Sequence, residues 1–342
     1  MDLHAFTSEM TSTFMLSVGA FLLAMVLTPI YTTLAYRYKF WKKQRTTSTL
    51  GETLMVFTKL HAAKFERNIP TMAGVIGVIA IAFVTYFFNW DRAQTWLPLA
   101  ALIGGGFVGI IDDIINIRGS GKGVAGMRSS LKFLMIILLA LALGWFFFVK
   151  LGYDSIHVPF VGDWQVGMWI VPIFVFAVVA TSNAVNITDG LDGLAGGLLV
   201  ISYMTFGVIA LLQGHLMIAG FCFTVVGALL SYLWFNIYPA RFFMGDVGSF
   251  ALGTSLGVVA MLTNTLLLLP IIGILFVVEA GSSLIQITSK KLFHRKVFIS
   301  APLHHHLEAK GWPETKVTMR FWVIASVSAF LGLLMALGGG HV

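Results

Sequence analysis

Two adjacent carboxylates, Asp112 and Asp113, end an apolar run that begins at Leu97. The chain has only 15 acidic residues among 342, and a charge at the mouth of a membrane helix is costly unless it meets a partner or an ion. Adjacent carboxylates repel each other, and Mg²⁺ relieves that repulsion while it bridges to phosphate oxygens. The pair therefore indicates magnesium chemistry, with a solvated helix end as the competing interpretation.

A third acid stands in a separate polar segment. Asp246 lies between Gly245 and Gly248, and glycines allow the backbone to approach a ligand closely. Acids from two distant segments favour a metal site, and an all-oxygen donor set suits Mg²⁺ or Mn²⁺ better than Zn²⁺. We therefore expect Asp112, Asp113 and Asp246 to be catalytic and to bind the metal.

Amide and carboxylate side chains recur at every third residue in another segment. Glycines at 190 and 193 interrupt it, which predicts a junction between two helices. Such groups suit recognition of a nucleobase or a ribose, whereas the competing interpretation is capping of two helix ends. The four candidate binding residues are Asn183, Asn186, Asp189 and Asp192.

Three consecutive histidines, His304, His305 and His306, lie in a basic stretch near the C-terminus. Because neighbouring residues on a helix or a strand point in different directions, we expect a loop here. Phosphate contact and proton transfer suit these side chains better than a zinc site, since no cysteine is near. Lys132 is a further candidate for phosphate binding, and its competing interpretation is a positively charged membrane anchor.

The composition predicts an all-α integral membrane protein. Hydrophobic residues make up 58% of the chain and charged residues 11%, with a mean hydropathy of +0.88, whereas soluble domains carry about 25% charged residues. The single cysteine, Cys222, excludes an internal disulfide. We interpret the chain as one polytopic domain, 1–342, with about ten spanning helices. The apolar stretches are 14–36, 71–89, 97–112, 131–149, 167–185, 190–212, 217–236, 247–263, 267–288 and 320–338.

The basic residues predict the orientation of these helices. If the loop 37–70 is cytoplasmic, alternation of the helices places 20 of the 22 Lys and Arg on the cytoplasmic side. Both termini are then periplasmic or extracellular, and every unusual polar cluster falls on the cytoplasmic face, where we expect the active site. Topology therefore accounts for the net charge of +7 without nucleic acid as a partner.

Two apolar segments carry further signals. Gly105 and Gly109 are four residues apart, which predicts close packing against another helix, and the surrounding match to a dinucleotide-binding fingerprint fails because no strand precedes it. Glu279 is a lone acid deep in a spanning segment. It marks either a proton path or a broken helix whose backbone groups need a partner.

These motifs resemble those of the polyprenyl-phosphate N-acetylhexosamine-1-phosphate transferase superfamily, and above all its bacterial cell-wall branch. The resemblance covers about residues 14–338, and the histidine segment is its most specific part. Ala73 and Gly74 stand where the family usually has two glycines, and the run before them, with Lys64 and Arg67, is atypical. The motifs lie at residues 70–74, 112–113, 183–193, 236–249 and 301–316.

The resemblance implies a reaction in the bacterial cytoplasmic (inner) membrane. Phospho-N-acetylmuramoyl-pentapeptide would pass from UDP-N-acetylmuramoyl-pentapeptide to undecaprenyl phosphate, giving lipid I and UMP, with Mg²⁺ required. A homodimer is also implied. Asp246 looks like the metal ligand, and Asp112 is the base for the lipid phosphate or the nucleophile of a covalent intermediate.

The remaining carried-over roles concern the substrate. Uridine contacts fall to Asn186, Asp189, Asp192 and Phe243, while Asn236 and Lys132 face the phosphates and the three histidines line the sugar-phosphate end. Three alternatives stay open at this point: a relative that transfers N-acetylglucosamine-1-phosphate, an ion-coupled secondary transporter, and an intramembrane zinc hydrolase. Polar clusters on one face and the lack of a visible repeat disfavour the transporter.

Overall fold

The computed structural model of the protein describes residues 3–41, 68–119 and 126–340. Most of the loop 37–70, including Lys64 and Arg67, falls outside these residues.

Long apolar helices make up most of the described chain. Helices satisfy their backbone hydrogen bonds internally, as an apolar environment requires. The elements in chain order are α1 (Leu3–Arg37), α2 (Gly74–Phe88), α3 (Trp96–Arg118), α4 (Ser129–Val149), β1 (Ser155–Val158), β2 (Gly162–Gln165), α5 (Ile170–Thr188), α6 (Leu194–Leu212), α7 (Leu216–Asn236), α8 (Gly245–Leu262), α9 (Leu269–Ile272), α10 (Ile274–Phe293), α11 (Leu303–Ala309) and α12 (Glu314–Gly338), with short 3₁₀ turns at Gly167–Trp169 and Leu266–Leu268.

All ten apolar stretches of the sequence are helical, but they differ in length. Among the described residues, eight helices are long and apolar enough to cross a membrane. A ninth span forms if the segment Leu266–Ile272 and α10 are counted as one, although the two are bent by 81° relative to each other. Helix α2 has only 15 residues, about 22 Å of helix against a hydrocarbon core of about 30 Å. The protein is thus a multi-pass helical membrane protein.

Helix α8 is the centre of the bundle, and every one of its residues is buried. A Cβ added at Gly109 of α3 would lie 2.2 Å from the carbonyl oxygen of Asp246, and one at Gly105 would lie 2.6 Å from that of Phe250. The close packing predicted from these two glycines is therefore confirmed. Their lack of side chains brings the end of α3, with its two acids, against the start of α8.

A small hairpin interrupts the helices, while the predicted all-α membrane class is confirmed. Strand β1 pairs antiparallel with β2, with Ser155 opposite Gln165. The strands have four residues each, which is too short for an alternating pattern to stand out in the sequence. The hairpin lies at the end of the bundle away from Asp112, because His157 binds Asn264 after α8 and the carbonyl of Gly339 after α12.

The glycine packing predicts a specific stability defect. Gly109→Ala places a methyl group against backbone atoms that cannot rotate away, so α3 and α8 must separate, at a cost of about 1–3 kcal/mol. We expect a lower melting temperature in detergent and a loss of activity. Gly77→Ala in α2 is the matched control, since its added Cβ meets nothing within 4 Å. Equal melting temperatures for the two variants would contradict the packing argument.

Candidate active site

The two acids at the end of α3 face different neighbours. Successive residues on an α-helix point about 100° apart, and both carboxylates are buried, Asp112 at 1% exposure and Asp113 at 0%. The two carboxylates therefore do not form one site by themselves, and each has its own partners.

Asp112 belongs to an ion-pair bridge made of Asp112, Lys132 and Asp246. The Lys132 ammonium lies 2.5 Å from Oδ2 of Asp112 and 2.8 Å from Oδ2 of Asp246. The second oxygen of Asp112 accepts the backbone N–H of Met127 at 2.6 Å. Lys132 starts α4 and Asp246 starts α8, so three helices contribute to the bridge. The predicted phosphate-binding lysine and two of the predicted metal ligands thus meet at one point.

Asp113 is turned instead to the first turn of α8. Its Oδ2 accepts the backbone N–H of Val247 at 3.1 Å. The first N–H groups of a helix lack partners within it, and a carboxylate there also interacts favourably with the helix dipole. Gly245, at φ +76°, leaves room for this contact, because a Cβ there would lie 2.6 Å from the same oxygen. Asp113 therefore fixes the start of α8 and, through it, the position of Asp246.

The predicted junction between two helices is confirmed. Helix α5 ends at Thr188 and α6 begins at Leu194. Asn186 donates to the hydroxyl of Ser249 at 2.9 Å, one turn after Asp246 on α8, whereas Asn183 donates to the carbonyl of Val179 on its own helix. Asp189, half-buried, is the C-cap of α5. The contact between Asn186 and Ser249 connects the junction to α8, the helix that carries Asp246.

Two of the predicted binding residues hold this junction to the loop after α7. Asp192 accepts the backbone N–H of Ala240 at 3.0 Å. Asn236 accepts from the N–H of Gly193 and donates to the carbonyl of Phe242, both at 2.9 Å. Both side chains are at most 3% exposed. In this arrangement the two side chains fix the backbone that supports the site, and they are not exposed at its surface.

Phe243 occupies the same loop and is half-buried. Its backbone N–H donates to the carbonyl of Pro70 at 2.8 Å, and its carbonyl accepts from Ala73 at 3.0 Å. The segment 70–74 and the loop before α8 are therefore joined by backbone hydrogen bonds. This contact fixes the backbone of Phe243, which lies three residues before Asp246 in the chain.

The three histidines lie on helix α11, so the expectation of a loop is wrong. The three rings have separate hydrogen-bond partners, although those of His304 and His305 meet edge to face with their centroids 4.1 Å apart. His304 binds Glu279 through Nδ1, His305 binds Glu308 through Nδ1, and Nδ1 of His306 accepts the backbone N–H of Ile299. A short helix suits three side chains with three separate partners. Desolvation by burial, and then the charge of Lys310, lower the pKa of His306.

Helix α12, which follows the histidines, clamps the α5–α6 junction. Three of its side chains, one turn apart, bind backbone atoms there. Glu314 accepts from the N–H of Asp192 at 2.6 Å, Thr318 donates to the carbonyl of Asp192, and Trp322 donates to that of Gly193. Sequence reasoning missed this stripe, because a polar residue at every fourth position of a helix resembles an ordinary half-exposed face.

The ion-pair bridge fits a magnesium ion. No group of three or more His, Cys, Asp or Glu arranged to hold a metal occurs among the described residues. Mg²⁺ does not need such a cage, because it commonly binds one or two carboxylates and completes its shell with water and phosphate oxygens. Asp112 and Asp246 already direct oxygens at one cation, the Lys132 ammonium, and so supply the right donors. Asp113, facing the start of α8, does not share that point.

The role of Asp113 predicts a loss of stability on truncation. Asp113→Ala leaves the Val247 N–H buried without its acceptor, at a cost of about 1–3 kcal/mol, so the melting temperature should fall. The exposed Asp163, which pairs with His157 at 2.7 Å, supplies the control variant Asp163→Ala with little change expected. Thermal unfolding in detergent measures both, and a melting temperature unchanged by Asp113→Ala would overturn this role.

Most of the chain is similar in sequence to known proteins. Residues 95–264 match the family described as Glycosyl transferase family 4. Three similar proteins bear the name phospho-N-acetylmuramoyl-pentapeptide-transferase. One from Chloroflexus aurantiacus is 38% identical over 96% of this chain and 90% of its own length. One from Levilactobacillus brevis is 39% identical over 78% and 84%, and one from Clostridium perfringens is 35% identical over 92% and 95%.

Proposed function

The chain belongs to the phospho-N-acetylmuramoyl-pentapeptide-transferase family, and we propose that its ion-pair bridge is where the transfer takes place. The enzyme moves phospho-N-acetylmuramoyl-pentapeptide from its UDP carrier to a membrane-bound polyprenyl phosphate, giving lipid I and UMP. The observation that carries the assignment of the site is the meeting of Asp112, Lys132 and Asp246 in a largely apolar bundle.

The site lies at the cytoplasmic face of the bacterial inner membrane in this proposal. Ten spans, with both termini outside, put 20 of the 22 Lys and Arg on that side. The ends of α3, α5 and α7 and the start of α8 gather there, while the hairpin and the end of α12 gather at the other. A soluble nucleotide-sugar and a lipid phosphate can both reach such a face.

The main obstacle to the reaction is repulsion between phosphates. An anionic lipid phosphate must approach the β-phosphate of an anionic UDP-sugar, so positive charge has to be held in place beforehand. Lys132 supplies one positive charge at a fixed point. Asp112 and Asp246 would hold Mg²⁺, which when bound neutralises the diphosphate and the departing UMP.

Asp112 acts on the incoming lipid phosphate as a proton acceptor and orienting group. Both of its oxygens already accept hydrogen bonds, one from Met127 and one from Lys132, and it is buried. These contacts orient the carboxylate, and the lone pair left on each oxygen serves the proton acceptor or, equally, the covalent nucleophile that the sequence left open.

The uridine end of the substrate meets Asp189, Asn186 and the ring of Phe243, which stacks on uracil. Asp192 and Asn236 support this surface through the loop after α7. The histidine helix α11 faces the sugar-phosphate end, and its sequence favours the muramoyl-pentapeptide over N-acetylglucosamine as the transferred group. An ion-coupled transporter fits less well, since the charged site lies at one end of the bundle and not midway.

Purified protein should release UMP when it is given undecaprenyl phosphate, Mg²⁺ and UDP-N-acetylmuramoyl-pentapeptide. With UDP-N-acetylglucosamine the release should be near background, because the histidine segment suits the other sugar. A coupled UMP assay with lipid extraction measures both reactions. Faster turnover of UDP-N-acetylglucosamine would reassign the enzyme to the other branch of the superfamily.

Asp246→Asn should lower turnover about 100-fold or more, because a preorganised charge in a dry site carries several kcal/mol of transition-state stabilisation. Lys132→Met should also lower it strongly, since the phosphates lose their fixed positive charge. Turnover is measured as a function of Mg²⁺ concentration, and the control Asp163→Asn at the opposite end should match the wild type. If Asp246→Asn kept full Mg²⁺-dependent turnover, the metal-ligand assignment would fall.

A further inference from the structure

We propose that Glu279 is the positioning residue of His304, holding the imidazole so that Nε2 points at the turn formed by Asp189 and Gly190. The inference rests on the proposed function and extends it to a residue that no carried-over motif includes. It makes α10 a part of the active site, although none of the side chains assigned so far comes from that helix.

The contacts between the two residues are specific. Oε2 of Glu279 lies 2.7 Å from Nδ1 of His304, and Oε1 accepts the backbone N–H of the same residue at 3.1 Å. One carboxylate thus binds both the main chain and the ring of His304. The backbone contact fixes the start of α11, and the ring contact fixes the rotation of the imidazole.

This geometry also sets the tautomer. An ionised carboxylate offers only acceptors, so Nδ1 must carry the proton that is donated to Glu279. Nε2 then presents a lone pair in the neutral ring, or an N–H in the charged ring. Glu279 is 0% exposed and His304 is 1% exposed, so water does not compete for this hydrogen bond.

Nε2 of His304 is the side-chain polar atom of this pair that the contacts with Glu279 do not use. It is buried and has no hydrogen-bond partner among the described residues. A Cβ added at Gly190 would lie 2.4 Å from it, so a larger residue there would displace the imidazole. The titratable groups in contact with the ring are Glu279 from α10 and His305, with its ring centroid at 4.1 Å; Asp189 is the chain neighbour of Gly190 on the junction.

A buried polar atom without a partner is costly and calls for an explanation. The junction next to Nε2 is the surface that we assign to the nucleotide, so the missing partner is a phosphate oxygen of the nucleotide-sugar, which accepts the Nε2–H of the charged ring. Glu279 is fully buried and never reaches that ligand. Its effect on the reaction passes through His304.

The contacts also exclude one of the two interpretations that the sequence left open for Glu279, the broken helix whose backbone groups need a partner. Helix α10 begins after the bend at Gly273, six residues before the acid. Both oxygens of Glu279 bind His304 and not backbone groups at the bend. The acid in the apolar helix is therefore explained by the histidine on α11.

A double-mutant cycle tests the inference. Glu279→Gln should lower kcat about 10–100-fold, as loss of a residue that orients a ligand-binding histidine does, with a smaller change in KM. In the His304→Ala background the same change should have little further effect, because its route of action is gone. Multiplicative losses in the double variant would show a merely structural role and would overturn the proposal.

A spectroscopic readout is independent of turnover. In ligand-free protein labelled with ¹⁵N-histidine, the His304 signal, identified by its loss in His304→Ala, should show a protonated Nδ1 and a lone pair at Nε2, and Glu279→Gln should shift that signal. Glu308→Gln is the matched control, because it changes the equivalent 2.7 Å pair of the adjacent His305. It should shift a different histidine signal. No shift for Glu279→Gln beyond that of the control would contradict the positioning role.

Gly190→Ala probes the same atom without touching the carboxylate, and it serves if Glu279→Gln fails to fold. Its methyl group should displace Nε2 and lower kcat, while Gly281→Ala on α10, whose Cβ meets nothing within 4 Å, should not. Wild-type kcat in Gly190→Ala would count against the inference. If the wild type releases no UMP, the proposed function fails instead, so the two failures are distinguishable.

Discussion

The Lys132 ammonium sits between two carboxylates that come from different helices, 2.5 Å from Asp112 and 2.8 Å from Asp246. In a bundle made almost entirely of apolar side chains, a buried charge is tolerated only with a partner. Asp112 and Asp246 therefore both pair with Lys132, and Asp113 binds the start of α8. These contacts bring α3, α4 and the start of α8 together. The site is assembled by the need to neutralise charge away from water.

Close backbone contact makes this arrangement possible. Gly105 and Gly109 let α3 touch α8 without intervening side chains, so that Asp113 reaches the first turn of α8 while Asp112 reaches Lys132. Hydrophobic residues could pack these helices, but at a distance that the short Asp side chain could not bridge. Packing and chemistry are thus set by the same small residues.

Much of this was accessible from the sequence. The apolar stretches are helices, the glycine pair packs closely, and the amide-rich segment joins two helices, because periodicity and residue size act locally. The division of labour between Asp112 and Asp113 was not accessible, since it depends on which helices lie on either side of α3. The helical histidines were missed for a similar reason. Three consecutive histidines suit a helix here because each has its own hydrogen-bond partner, among them Glu279.

The stripe of Glu314, Thr318 and Trp322 along α12 carries a mechanical consequence. It joins the α5–α6 junction to the helix that directly follows the histidines. The two surfaces assigned to opposite ends of the substrate are therefore tied to the same helix, so the distance between them is set by the length and position of the start of α12.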